Sequence, residues 1–444
     1  MTATSFARAA FGNLAAKVLL VAFGLGVTLI VARRGPELQG AFSLFVACEA
    51  VLVTLFSGFG LALAREVSHH RADAGRGLSA MLLASAGVGL VAAAVLVGVS
   101  ARADREPYRH LWLLALAAPF LLMVPTATGL WMGQGRMLPL NLAQVASPGL
   151  VLAALGALIV SSGSAGLPVA QAAGTLGVAA VLAVWVTVKS GVGLGTAAWA
   201  FHDAGRVAPG WDLLRRDARF VAVIGATNVI SLLNYRVMLF VIEHHAGLAA
   251  AGVYSVAVQI GELLWLLSSA VTVSVYHRIG NPDRAVAAGM TVQAVRINVL
   301  ATVAAAPALL AVAWWGLPWA LGPAYEAARV PLAALLPGIA AYAAASSLSA
   351  FYTNHLGRPR LSAAVAGLSL SLNLLLSLWT VPRWGAVGAA VSTSVAYVVA
   401  ITVAAGLFQR HAGLGWGVWL RGVPQAAAGA ARDNRGMRAP RGRS

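Results

Sequence analysis

Five ionisable residues stand inside long apolar runs of this sequence: Lys17, Glu49, Arg236, Glu262 and Arg296. A charge in such a run is costly unless it faces water, a partner or a charged ligand. Their company suggests what chemistry they could do. Asn13, Lys17, Gly24 and Thr28 fall on one helical face. Thr227, Asn228, Ser231, Asn234 and Tyr235 fill one arc at 100° per residue, and Arg236 is long enough to reach round to it. Ser255, Gln259, Glu262 and Ser269 form a third polar stripe. Cations with hydroxyl and amide neighbours can hold an anion. Lys17, Asn13, Arg236, Asn234 and Tyr235 are therefore the candidate binding residues, and Glu49, Glu262 and Gln259 the candidate counter-ion or coupling-ion residues. Each has a plainer reading. Lys17 could snorkel to a nearby surface, Glu262 could hydrogen-bond a neighbouring helix, and Arg296 reads as an interfacial anchor.

Catalytic chemistry finds no support. Gly191-Val-Gly193-Leu-Gly195 lacks the strand-to-helix context of a phosphate-binding loop. His69-His70, on a basic loop, reads as wet surface rather than a metal site. No catalytic residue, cofactor or metal is expected.

The elements that position these residues follow from composition. The chain has 444 residues, 59% hydrophobic and 10% charged, with a mean hydropathy of +0.80. An ordinary soluble protein of this length is excluded. The apolar runs approach the ~20 residues that cross a bilayer as a helix, and the alternating ten-residue segments of a β-barrel are absent. The one cysteine, Cys48, lies within a run, so neither a disulfide framework nor a thiolate metal site is available. The expected fold is all-α and polytopic, with twelve spans at about 11–32, 40–63, 78–100, 110–132, 143–161, 167–188, 220–242, 250–275, 295–316, 330–352, 361–380 and 386–408. Residues 11–32 lack a cleavage pattern before Arg33 and read as a retained helix. Pro119, Pro125 and Pro148 predict kinks.

The spans fall into two similar halves. Gly135-Arg136 recurs as Gly357-Arg358, and Gly163-Ser-Ala-Gly166 as Gly385-Ala-Val-Gly388, at the same offset. This predicts a six-helix lobe over 1–188, a cytoplasmic linker over 189–219, a second lobe over 220–408, and a basic tail over 409–444. In the linker, Trp211, Leu213, Leu214 and Phe220 alternate with Arg215, Arg216 and Arg219, the pattern of a short amphipathic helix on an anionic membrane face, with an unstructured link as the alternative. The tail, with Arg410, Arg421, Arg432, Arg435, Arg438, Arg441 and Arg443 against Asp433, reads as disordered chain near anionic lipid. It offers no aromatic platform for nucleic acid.

Specific motifs carry a resemblance. Arg33-Arg34-Gly35-Pro36-Glu37-Leu38-Gln39-Gly40-Ala41-Phe42-Ser43, the run ending in Gly58-Phe59-Gly60 and closing with Ala64-Arg65, and the Gly133-Gln134-Gly135-Arg136 turn are the first. Asn234-Tyr235-Arg236, and Asn373 followed by Pro382 and Gly385-Ala-Val-Gly388-Ala-Ala, extend them. Together these resemble the polysaccharide transporters of the multidrug/oligosaccharidyl-lipid/polysaccharide (MOP) exporter superfamily. The resemblance spans nearly the whole chain. It implies two parallel six-helix lobes that flip a polyprenyl-pyrophosphate-linked oligosaccharide to the outer leaflet by alternating access. It departs at Met238, where that family often has an aspartate two positions after the arginine. The implied partners are the bilayer, the lipid-linked sugar, and a polysaccharide polymerase or glycosyltransferase machinery. Most of the 31 Lys and Arg residues fall on the side that holds both termini, which predicts that both are cytoplasmic in a cell membrane. Two rivals remain: a drug/cation antiporter of the same superfamily, and a membrane-embedded polymerase or glycosyltransferase.

Overall fold

The computed structural model describes residues 3–70, 74–134, 136–162, 171, 174, 175, 177 and 208–421. Its chain forms two compact units, Met1–Arg236 and Val237–Ser444.

In unit 1, α1 (Ala3–Ala32) is followed by α2 (Pro36–Leu55), α3 (Ser57–His70) and α4 (Ala74–Ser100). After a 3-10 turn come α5 (Leu111–Leu121), α6 (Met123–Gly133) and α7 (Met137–Ser162). The start of α8 (Ala208–Glu262), as far as Arg236, completes the unit. Pro36 starts α2, where its missing N–H costs nothing. The expected kinks appear in part. α5 and α6 meet at Leu122, between Pro119 and Pro125, whereas α7 runs through Pro148. The second span is interrupted at Phe56, two residues before Gly58. Helix pairs α1–α7, α3–α6 and α4–α5 pack along their lengths. Of the sixth span, 167–188, only residues 171, 174, 175 and 177 are described, and all four are helical. Residues 189–207 of the linker lie outside the described residues. From Ala208 the chain is helical and continues into the seventh span without a break.

Unit 2 continues α8 and adds α9 (Trp265–Ile279), α10 (Arg284–Leu321), α11 (Arg329–Tyr342), α12 (Ala345–Ala350), α13 (Pro359–Ala412) and α14 (Val418–Arg421). Asp283 caps α10, accepting from the backbone N–H of Ala285 at 2.8 Å.

Among the described residues, nine stretches are long and apolar enough to cross a membrane, and two of these have 59 and 54 residues. Lengths like these, at 1.5 Å per residue, far exceed a core of about 30 Å. Each folds back at a glycine. Gly385, at φ 52°, breaks α13 into two limbs, and Asn373 and Thr393 on opposite limbs hydrogen-bond at 3.2 Å. Gly247, at φ 83°, breaks α8 in the same way. Met238 and Tyr254, on its two limbs, contact the adjacent residues Ser392 and Thr393. Both breaks need the positive φ that glycine adopts without strain. The protein is thus an all-α, multi-pass membrane protein.

Candidate functional site

Lys17 stands midway along α1, with its side chain exposed. It pairs with no described residue. Asn13 lies on α1, outside the described side chains. Further along the same face Thr28 is buried, its hydroxyl donating to Gly24 O at 3.0 Å. The face therefore runs from an exposed cation into a packed core of Val27, Val31, Phe42, Val151 and Leu155.

Glu49 sits in α2, and two residues from the sixth span hold it. Gln171 Nε2 donates to one carboxylate oxygen at 2.8 Å, and Thr175 Oγ1 lies 3.3 Å from the other. Thr175 also donates to Gln171 O at 2.8 Å, so the two ligands are tied together. Gln171 and Thr175 are buried, whereas Glu49 is half-buried. Both partners were missed by sequence reasoning. Their i, i+4 spacing on an apolar helix was the available signal, but nothing in the chain said that Glu49 faces them.

The arc on the first limb of α8 divides into two sets. Thr227 and Ser231 spend their hydroxyls on their own helix, on Val223 O and Thr227 O. Asn228 reaches out, donating to Ser57 Oγ at 2.8 Å. Beyond it Asn234 is buried at 1% exposure, while Tyr235 and Arg236 are half-buried. Met238, where the resembling family often has an aspartate, is buried in unit 2 and accepts a weak contact from Ser392 Oγ at 3.9 Å. Close by, Tyr254 OH lies 3.2 Å from Thr393 Oγ1, which bonds Asn373. The described members of this network are neutral. It joins the limbs of α8 and α13 and offers no carboxylate to a cation.

The polar stripe on the eighth span crosses a break between two helices. α8 ends at Glu262 and α9 begins at Trp265. The N–H groups of Leu263 and Leu264 bond three residues back, to Ile260 O at 3.2 Å and Gly261 O at 3.1 Å. This tightening separates Ser269, on α9, from Ser255, Gln259 and Glu262, on α8. Ser255 and Ser269 hydroxyls bond backbone carbonyls of Gly252 and Leu266. Gln259 and Glu262 are half-buried just before the break. An aromatic trio fixes the break. Trp265 lies 5.7 Å from Tyr342 and 6.2 Å from Tyr397, and these two tyrosines lie 4.3 Å apart. Trp265 Nε1 also donates to Ile339 O at 3.3 Å. Arg296 is half-buried a third of the way along α10. Among the described residues no cluster of His, Cys, Asp and Glu could hold a metal, and His69-His70 lies outside the described side chains.

No family model and no curated relative matches the sequence. Solved structures do. The chain is similar to a multidrug resistance MATE family transporter of the MOP superfamily in its inward-facing conformation (TM-score 0.68, 15% identity, covering 91% of this chain and 98% of that chain). It is also similar to lipid II flippase MurJ in an inward closed conformation (TM-score 0.71, 13% identity, 90% and 87% covered). A MOP superfamily transporter from Pyrococcus furiosus, described as having a binding pocket of reverse polarity, matches at TM-score 0.59 and 15% identity, with 92% of this chain and 95% of that chain covered. The chain has the fold of the MOP superfamily transporters.

Proposed function

We propose that this protein is a flippase that carries a polyprenyl-pyrophosphate-linked oligosaccharide from the cytoplasmic to the outer leaflet of the cell membrane. It would do so by alternating access between two lobes, residues 1–188 and 220–408, with both termini cytoplasmic. The observation that carries this reading is Lys17: a lysine within the first membrane span, exposed and unpaired by any described residue. A pyrophosphate crossing a region of low dielectric is strongly disfavoured without fixed positive charge. Lys17 and Arg236 supply that charge, Asn13, Asn234 and Tyr235 add polar contacts, and Glu49, Gln259 and Glu262 serve as counter-ion or coupling groups. The MurJ likeness supports the reading, since that protein is named a lipid II flippase. No catalytic step is assigned.

A second reading, export of organic cations, is favoured by the MATE likenesses and by Glu49, an intramembrane acid whose described partners are neutral. One experiment separates the two. Under the flippase reading, Lys17→Ala or Arg236→Ala abolishes surface polysaccharide and leaves lipid-linked precursor on the cytoplasmic leaflet, at normal protein levels. Normal export by both variants, together with raised drug sensitivity in Glu49→Gln, establishes cation export instead.

A further inference from the structure

A cavity of about 440 Å³ opens between α10, α11, α12, the second limb of α13 and the chain leading into α14. This is within the ~300–1,000 Å³ range of ligand sites. Its walls have a direction. Arg296 lies a third of the way along α10, and Leu300 stands one turn further on. On the opposite wall α13 runs the other way, so Val398 is deep and Ala405 is nearer the end. Trp416 and Trp419, beyond the end of α13, line the mouth. At 38 residues, α10 is about 57 Å long, nearly twice the hydrocarbon thickness. That excess length is enough to carry its first turns, up to Arg296, to the membrane surface. Leu300 is 63% exposed and Val398 42% exposed, which in a span means contact with lipid.

The mouth holds a donor without an acceptor. Arg296 makes no hydrogen bond or ion pair with a described residue. A guanidinium can only donate, so the missing component is an anionic acceptor. Below it the wall is apolar. We propose that the cavity holds one anionic glycerophospholipid of the bilayer, its phosphate at Arg296 and one acyl chain along Leu300, Ala341 and Val398.

The chain's own tail, residues 422–444, is the rival occupant, and its chemistry is wrong. It brings Arg432, Arg435, Arg438, Arg441 and Arg443 against Asp433, and Val423 and Met437 are its only large aliphatic residues beyond its prolines. It would place cations beside Arg296 and leave the apolar wall unfilled. The inference needs only a membrane protein and holds whichever molecule is transported.

The test is native mass spectrometry of the full chain in detergent, titrated with phosphatidylglycerol and with phosphatidylcholine of the same acyl chains. The wild type retains one phosphatidylglycerol about tenfold more tightly than phosphatidylcholine, the scale of one charge-assisted contact. Arg296→Gln removes that preference. Ala405→Phe, which fills the cavity, loses both lipids, as does Thr402→Trp at an exposed position that tolerates bulk. Equal retention of the two lipids by the wild type overturns the proposal. So does a preference that survives Arg296→Gln, or undiminished binding in a monodisperse filled variant.

Discussion

Asn298 is fully buried and gives its amide hydrogens to two hydroxyls, Thr272 Oγ1 and Ser347 Oγ, both at 3.1 Å. Thr272 in turn meets Ser347 at 2.9 Å and Ser346 at 2.8 Å. One neutral amide therefore ties α9, α10 and α12 together. Interhelical polar contacts in a membrane contribute about 0.6 kcal/mol on average, with model peptides nearer 1–2 kcal/mol. Asn298→Leu keeps most of the volume and should lower stability by about 1 kcal/mol. Asn298→Asp buries a carboxylate among hydroxyls and should cost more. Thermal unfolding in detergent reads this order, and an Asp variant as stable as wild type would remove the network from the argument. Sequence reasoning passed over Asn298 and Thr272. A lone polar residue in an apolar run is unremarkable, and what marks this pair is their partners, which lie on other helices. Charged residues were easier to single out, because the cost of a charge in a membrane is visible without knowing its neighbours.

At the scale of helices, glycine decides which of them can touch. A Cβ at Gly388 would run into the carbonyl oxygen of Thr380 on the opposite limb of α13. The same holds where α3 crosses α6: a Cβ on Gly129 would strike the Gly60 carbonyl, and one on Gly60 the Pro125 carbonyl. Small residues at such crossings let backbones approach. Gly388→Ala is expected to open the α13 hairpin and shift the protein to aggregate on size-exclusion chromatography. Gly367→Ala, in the same helix with nothing within 4 Å of its Cβ, should be neutral or stabilising by up to about 1 kcal/mol. Equal behaviour of the two variants would show that the close approach does not hold the hairpin. This much was legible in the chain. Gly58-Phe59-Gly60 and Gly385-Ala-Val-Gly388 stand out as motifs, and the turn near Gly385 follows from the apolar lengths on either side. The break at Phe56 was not legible. Leu55-Phe56-Ser57 carries no helix breaker, and the interruption shows only in the packed helix, with Ser57 Oγ donating to Thr54 O at 2.7 Å.

Across the whole molecule, the first turns of the seventh span pack within unit 1. Cβ atoms added at Gly58 and Gly225 would meet the backbone of Val221 and Leu55, and Asn228 bonds Ser57. Close backbone contacts of this kind cannot be read from periodicity, which reports only that a helix exists. The order of crossings is better determined, because unit 2 contains its own check. Starting beside Gly247, the chain crosses to Asn281, back to Gly322, across to Gly357, back to Gly385 and across to Gly413. Alternate turns must then share a side, and they do. Gly385 lies against Ala246, His355 Nδ1 is 2.7 Å from Asn281 O, and the Arg284 guanidinium lies against Gly413. What remains is which side faces outward, and the positive-inside argument places Ala246 outside. In a Cys48→Ala background, a cysteine at Ala246 should react with an impermeant thiol reagent added to whole cells. A cysteine at Ala285, exposed and one crossing away, should react only after permeabilisation. Labelling in the reverse pattern would invert the protein in its membrane. The carried pyrophosphate would then start from the opposite leaflet, and the flippase reading would lose its direction.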